Sequence, residues 1–366
     1  MGLRIGLVGA GNISDQYLTN LTSYPDVEVV AVGDIDAQRA QAQAARYGVP
    51  EAGAADLVLD HPDIELVVNL TIPAAHADVD VRALRAGKHV WSEKPLATSL
   101  EDAARVLAVA AESGLRVGCA PDTVLGPGIQ ATLRMVRDDI GAAVTGLALF
   151  QNRGPDLWHP SIEFFYAAGG GPVLDVGPYY LTSLVLGLGP VVSVTAVGGT
   201  ARTRRLIAAG PRQGTVVPVA VPTHTEALLR HASGATTTAI FSFDSSRVRK
   251  VLEFGGVEAS VQASDPNSFD GTITRFGAPV IRGQEVVEVV EVAAAGAGRG
   301  IGVVDMARSI AAGTPHRASG ELAYHVLEIM LAINDAVDTG GTIAIQSTVP
   351  STDPLPDDWN ATASQI

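Results

Sequence analysis

The chain holds one cysteine, Cys119, and only three lysines, Lys88, Lys94 and Lys250. A single thiol cannot close an intrachain disulfide or build a zinc-thiolate cluster, so neither an exported disulfide scaffold nor a structural zinc site has support. Charged residues are 17% of the 366, and acids outnumber bases to a formal charge of −14 with no basic run. Nucleic acid and anionic membrane surfaces reward clustered Lys and Arg, so neither is an expected partner. Long apolar runs are missing, and the first strand-like segment starts at Leu3, leaving no room for a signal peptide. A soluble, cytoplasmic protein is expected. The histidines show no metal-ligand spacing, and no metal is expected.

What is present is a large buried core: 47% of the residues are hydrophobic, over a length that predicts two domains. The chain opens as strand, glycine turn and helix. Leu3 to Val8 precede Gly9-Ala10-Gly11-Asn12-Ile13-Ser14, and Leu18 and Leu21 follow at helical spacing. Gly9 permits the tight turn, and Gly11 lets backbone amides at a helix start approach a pyrophosphate. Ser14 stands where the full fingerprint has a third glycine. The second strand, Val27 to Gly33, ends at Asp34, about 25 residues beyond Gly9 and near the spacing of a ribose-binding carboxylate. The same acid could instead cap the next helix, although Asp36 also suits that role and Gly48 suits the stop.

Alternation continues through the strand Glu65–Leu70, the segment Thr71-Ile72-Pro73 with the helix after it, and the strand His89–Ser92. Ser99-Leu100-Glu101-Asp102 then has capping-box form, and Gly114 ends its helix before Leu115–Cys119. The pattern predicts a doubly wound parallel sheet, with Gly9, Asp34, Thr71, Glu93 and Asp122 just past strand ends, where ligands bind such sheets. From residue 125 longer strands dominate, over 144–151, 191–197, 225–231, 236–243, 251–254 and 286–292, predicting an antiparallel or mixed sheet. Helices are expected over 129–138, 174–186, 300–312 and 321–338, with Ser319 as a cap, and the Pro-, Ser- and Asp-rich tail from 347 is expected to lie loosely on the surface. The predicted domains are residues 1–124, a Rossmann unit; 125–346, an α/β substrate-binding and oligomerisation unit; and 347–366, the tail.

Lys94 is the main chemical candidate. Twenty-two of 25 basic residues are arginine, so the sequence uses Arg for a generic cation, and an Arg cannot release its proton while a desolvated Lys can. The glycine turn through Ile13, Thr71-Ile72-Pro73 with His76, Gly87-Lys88-His89-Val90 leading into Glu93-Lys94-Pro95-Leu96, and Gly169-Gly170-Gly171-Pro172-Val173-Leu174-Asp175 with Tyr179 together resemble the glucose-fructose oxidoreductase/inositol dehydrogenase family, Gfo/Idh/MocA. The resemblance covers nearly the whole chain before the tail.

It implies an N-terminal Rossmann domain, a C-terminal α/β domain with a large open sheet, and oxidation or reduction of sugars and cyclic polyols with NAD or NADP. It implies cofactor contacts from Gly9, Gly11, Asn12, Ile13, Asp34, Ile35, Thr71, Pro73, His76, Glu93 and Lys94. The resemblance implies substrate contacts from Lys94 and Asp175; Asp122, past a strand end, and Tyr179, on the Asp175 helix face, are expected to join them, as are Trp158 and His159, for which packing is an equal reading. The expected catalytic residues are Lys94, Asp175, Tyr179 and His159. A homo-oligomer, dimer or tetramer, is likewise implied.

Tyr179 departs from the family, in which many members place histidine there; a neutral phenol titrates near pH 10, so proton handling falls to Lys94 or to His159 in Leu157-Trp158-His159-Pro160. Asp175 could merely cap its helix, and Trp158 could merely pack. Acid at Asp34 and Asp36 predicts NAD over NADP, since a 2′-phosphate would meet negative charge. The expected activity is NAD-dependent oxidation of a secondary alcohol of a sugar, sugar derivative or cyclitol. Two alternatives stand beside it, a glycosidase that keeps NAD and uses a transient oxidation, and an NAD-binding regulator without turnover. No Tyr is followed four residues later by Lys, which excludes the short-chain dehydrogenase arrangement.

Overall fold

A computed structural model describes residues 2–281 and 284–366 and divides into two compact units. The first runs to Gln130 and takes back Ala293–Leu327 and Thr352–Ile366; the second is Ala131–Val292 with Glu328–Ser351.

The first unit alternates β1 (Leu3–Val8), α1 (Ser14–Leu21), β2 (Val27–Gly33), α2 (Ala37–Tyr47), β3 (Glu51–Gly53), α3 (Ala55–Leu59), β4 (Leu66–Asn69), α4 (His76–Arg85), β5 (His89–Ser92), α5 (Leu100–Ser113) and β6 (Val117–Cys119). Among the described residues these strands form one six-stranded sheet, every neighbour parallel, in the order β3-β2-β1-β4-β5-β6. That order reverses at β1, so the crevice past its carboxyl end is where such a sheet binds a dinucleotide. Helix limits follow local chemistry. The Asp36 carboxylate accepts the Gln38 and Arg39 amides at 3.1 and 3.3 Å, Ser99 Oγ accepts the Asp102 amide at 3.1 Å, and Gly48 and Gly114 close their helices at φ +69° and +64°.

The remaining elements are α6 (Pro127–Asp138), β7 (Ala143–Gln151), α7 (Glu163–Tyr166), α8 (Pro172–Leu188), β8 (Val191–Gly199), β9 (Arg204–Leu206), β10 (Val216–Pro218), β11 (His224–His231), β12 (Thr236–Ser242), β13 (Arg249–Gly256), β14 (Ala259–Gln262), β15 (Gly271–Ile281), β16 (Gln284–Val292), α9 (Ile301–Ala312), α10 (Gly320–Thr339) and β17 (Thr342–Ala344). In the second unit, nine described strands form a sheet of order β16-β15-β14-β13-β7-β12-β11-β8-β17, antiparallel except for β7 with β12. Burial alternates along β11, with Ala227 and Leu229 inward and Leu228 outward, so one face is packed and the other open. α8 lies against β7, β12 and β11.

The expected domain limits need correction, because the first unit is discontinuous in sequence. α9 packs against β6, Gly302 offers the Trp91 ring a surface that a Cβ would occupy, and the Cys119 amide donates to the Ala318 carbonyl at 2.9 Å. The tail is docked rather than loose. Asp26, fully buried, accepts Arg308 Nε at 2.7 Å and the Ser364 hydroxyl and Gln365 amide at 3.0 Å. Arg308 also donates to the carbonyls of Asn360 and Ala363 and lies over the Trp359 ring. No helix among the described residues is long and apolar enough to cross a membrane.

Candidate functional site

On the first unit, Gly9, Gly11, Asp34, Ile35 and Thr71 come together in a cleft of about 270 Å³, whose wall also includes Arg39, Leu70, Ile72, Ala75 and Val79. Gly9 has φ +107°, and a Cβ there would meet the Leu70 carbonyl carbon at 2.6 Å, so only glycine lets β1 turn against the end of β4. A Cβ at Gly11 would meet nothing within 4 Å, which leaves the helix-start amides open to an anion. Asp34 does more than its spacing predicted. Its Oδ2 accepts the Ala10 amide at 2.7 Å and its Oδ1 the Asp36 amide at 2.8 Å, so the ribose-position acid also holds the glycine turn in shape. Each oxygen keeps a lone pair for a ribose hydroxyl. Arg39 stands 3.8 Å from Asp34 Oδ1 and 3.6 Å from Asp36 Oδ2.

Ile35 is 99% exposed and Ile72 69%, two bare aliphatics on the wall of one cleft. They suit the two faces of a flat base, and Ile72 carries that signal without having been singled out from the sequence. The cleft is at the small end for a ligand site and fits the adenosine half of NAD, so the residues present fit this cofactor. Asn12 and Pro73 are exposed and Ile13 half-buried; none of the three lines the cleft.

Lys94 follows β5 and is half-buried. Glu93 anchors it by backbone: Oε2 accepts the Lys94 amide at 3.0 Å while Oε1 accepts the Tyr17 hydroxyl at 2.8 Å. Burial, and then the Glu93 charge, push the Tyr17 phenol well above its ordinary value, so it stays a donor. Two expected contacts are corrected. His76, 1% exposed, does not line the cleft; its Nδ1 lies 2.7 Å from the Pro95 carbonyl and its Nε2 3.0 Å from that of Thr71, so it struts the Lys94 turn against the segment after β4. Burial pushes this imidazole down, while the two carbonyls pull it up. Asp122 is fully buried, accepts the Gly300 amide at 2.6 Å and pairs with Arg299 at 3.3 Å, so it fixes the start of α9 instead of facing a substrate.

On the second unit, Gly154, at φ +96°, turns the chain into an aromatic ledge. Trp158, 63% exposed, meets the His159 ring edge-on at 5.3 Å, and His159 meets Phe164 and Phe165 at 5.4 and 5.3 Å. The base of the ledge is polar. Buried Arg205 pairs with Asp156 and Asp244, and Asp156 accepts the Tyr166 hydroxyl at 2.7 Å. His159 Nδ1 accepts the Ser161 amide at 3.1 Å, so the neutral ring carries its proton on Nε2 and can donate there but not accept. Asp175 and Tyr179 lie in the first two turns of α8, four residues apart and so on one face, Asp175 half-buried and Tyr179 8% exposed. The N-cap is Gly171, so capping is not the role of Asp175.

Comparison with known proteins follows the same division. The model of the oxidoreductase family with an NAD-binding Rossmann fold matches residues 3–120, and that of the GFO/IDH/MocA C-terminal domain matches 130–262. Inositol 2-dehydrogenase of Salmonella typhimurium is 40% identical over 120 residues, 32% of this chain and 36% of that protein. Trans-1,2-dihydrobenzene-1,2-diol dehydrogenase of Mus musculus is 32% identical over 205 residues, 54% of this chain and 60% of that one. The chain thus spans about a third of the length of the inositol 2-dehydrogenases it matches. A levoglucosan dehydrogenase structure with NADH and L-sorbose superposes with a TM-score of 0.84 at 20% identity, over 94% of this chain and 99% of that one, a likeness of fold.

Proposed function

The chain belongs to the Gfo/Idh/MocA oxidoreductase family, and from that premise we propose that it oxidises a secondary alcohol of a sugar, sugar derivative or cyclic polyol, with NAD as the acceptor. The observation that carries the reading is the cleft past β1, where Gly9, Gly11, Asp34 and Thr71 meet, with Lys94 past the end of the strand next to β4. Bound nicotinamide supplies the hydride acceptor. Lys94 takes the hydroxyl proton, and Glu93 holds its backbone for the task. Asp175 and Tyr179 accept and orient substrate hydroxyls, and Trp158 offers an apolar face for a sugar ring. His159, protonated on Nε2, serves as a donor to substrate, which leaves Lys94 as the acid/base.

Among the relatives, the names inositol 2-dehydrogenase and a dTDP-sugar 3-reductase support the substrate class, beside a dihydrobenzenediol dehydrogenase and a semialdehyde dehydrogenase that act outside the sugars. NAD is proposed over NADP because Arg39, the cation on the cleft wall, is already shared by Asp34 and Asp36, and a 2′-phosphate there would meet two carboxylates. The test is NADH formation across a panel of sugars and cyclitols, with NAD and NADP compared. Net NADH release supports a dehydrogenase; substrate consumption without net NADH would indicate a self-recycling glycosidase, and binding without turnover a regulator.

A further inference from the structure

Next to the turn that carries Lys94 lies a closed polar cluster that the proposed chemistry does not use. Asn69 ends β4, Ser92 ends β5 directly opposite it in register, and Asp80 on α4 reaches the same place; all three are fully buried. Asn69 Nδ2 donates to Asp80 Oδ1 at 2.7 Å and to the His76 carbonyl at 3.1 Å. Asn69 Oδ1 accepts both the amide and the hydroxyl of Thr71, at 3.1 and 2.6 Å. The amide orientation is therefore determined, amino group to Asp80 and carbonyl to the cleft wall. Two oxygens are left over. Asp80 Oδ2 and Ser92 Oγ are buried and close no hydrogen bond as placed, although Ser92 faces that carboxyl closely enough to favour its charge slightly.

An ionised Asp80 would be a fully buried charge whose hydrogen-bond partner is neutral, which is costly. Ser92 can pair with Oδ2 in either state, as donor to a carboxylate or acceptor from an acid, so it is full burial without a cation partner that favours the protonated form, which keeps its other oxygen for Asn69. We propose that Asp80 is a positioning residue that works as a neutral acid, locking the ends of β4 and β5, and with them Thr71 and the Glu93-Lys94 turn, into one geometry. The inference rests on the proposed role of those two strand ends in holding nicotinamide nucleotide and moving the proton.

Burial pushes the Asp80 carboxyl up to about 7, against the hydrogen bonds from Asn69 and Ser92. The titratable groups around it are His76 one turn back on α4, Glu93 and Lys94 past β5, and the Cys119 thiol on β6, itself pushed up by burial and then by Asp80 and Glu93. From α5, Arg105 turns outward to the exposed Asp78 and Asp102. Raising the pH through neutrality therefore places a charge inside the buried cluster, and the Lys94 turn loosens.

Two readouts on the full-length chain test this. The first compares turnover across about pH 6 to 9 for wild type, Asp80→Asn, Asp80→Ala and Ser92→Ala. Asparagine copies the neutral acid, with a permanent donor for Ser92, so Asp80→Asn should lose the alkaline decline seen near 7 in wild type. Its ratio of alkaline to acid turnover should exceed the wild-type ratio roughly tenfold, while Asp80→Ala lowers turnover several-fold at every pH, a loss that asparagine rescues. The second is the melting temperature without cofactor. A raised folded-state pKa means stability is full below the unfolded value near 3.8 and is lost as pH rises to about 7. The gap in melting temperature between Asp80→Asn and wild type should open over that window and stay constant above it. An Asp80→Asn chain with the wild-type turnover profile, or no opening gap, would overturn the inference. If wild type neither binds NADH nor turns over, the enzyme reading has failed and melting still decides the state of Asp80.

Discussion

Lys94 is the residue on which the chemistry turns, and its place is set by neighbours rather than by its own side chain. Glu93 grips its backbone amide, Tyr17 grips Glu93, and His76 reaches the carbonyl of Pro95. Replacing Lys94 by Arg keeps a cationic side chain but removes a group that can release and take up a proton, so turnover should fall about a hundredfold or more while NADH affinity changes little. Tyr179→Phe should raise the Michaelis constant more than it lowers turnover, because a positioning hydrogen bond is worth about 1 kcal/mol. Loss of all turnover at saturating substrate in that variant would return the acid/base role to the phenol. At this scale the sequence was only half legible. Gly9, Gly11 and Asp34 announce themselves through spacing, whereas Asp122 sits past a strand end like a ligand contact and is taken by Arg299, a partner 177 positions away. His76 misled for the same reason, since nothing local shows that both its ring nitrogens face carbonyls.

Elements of the parallel sheet were legible because each strand is a short apolar run closed by a glycine turn or a helix cap. The second sheet was harder. β14, Ala259–Gln262, is four residues of mixed polarity, and β15 contains Gly277 and Pro279, which read as loop. Both are strands because each pairs on both sides within the sheet. α9 was visible as a helix, but not as a part of the first unit. Its packing is close at Gly302, where a Cβ would overlap the fully buried Trp91 ring. Gly302→Ala should therefore destabilise by about 1–3 kcal/mol despite alanine's better helix propensity, as read by denaturant midpoint. A stabilised variant would mean that α9 does not pack as described.

For the whole molecule, composition set the class and long-range contacts set the assembly. A polar tail reads as loose, yet Leu355 and Ala361 are buried and Asp26 and Arg308 hold its end. Truncation after residue 351 should lower the melting temperature by several degrees by exposing buried Asp26 and Arg308, an effect an unattached tail would lack. The open face of the larger sheet leaves Val197, Leu228, Val287 and Val289 exposed. We propose that this face is covered in a homo-oligomer, and Leu228→Lys should shift the sedimentation coefficient toward the monomer.

The most direct measurement pairs NADH binding with NADH formation, in wild type and Lys94→Arg, across the sugar and cyclitol panel. Both proteins should bind NADH with similar affinity, and only wild type should form it from NAD and at least one polyhydroxy substrate. An Lys94→Arg chain as active as wild type, or a wild-type chain that binds no nicotinamide nucleotide, would contradict the account.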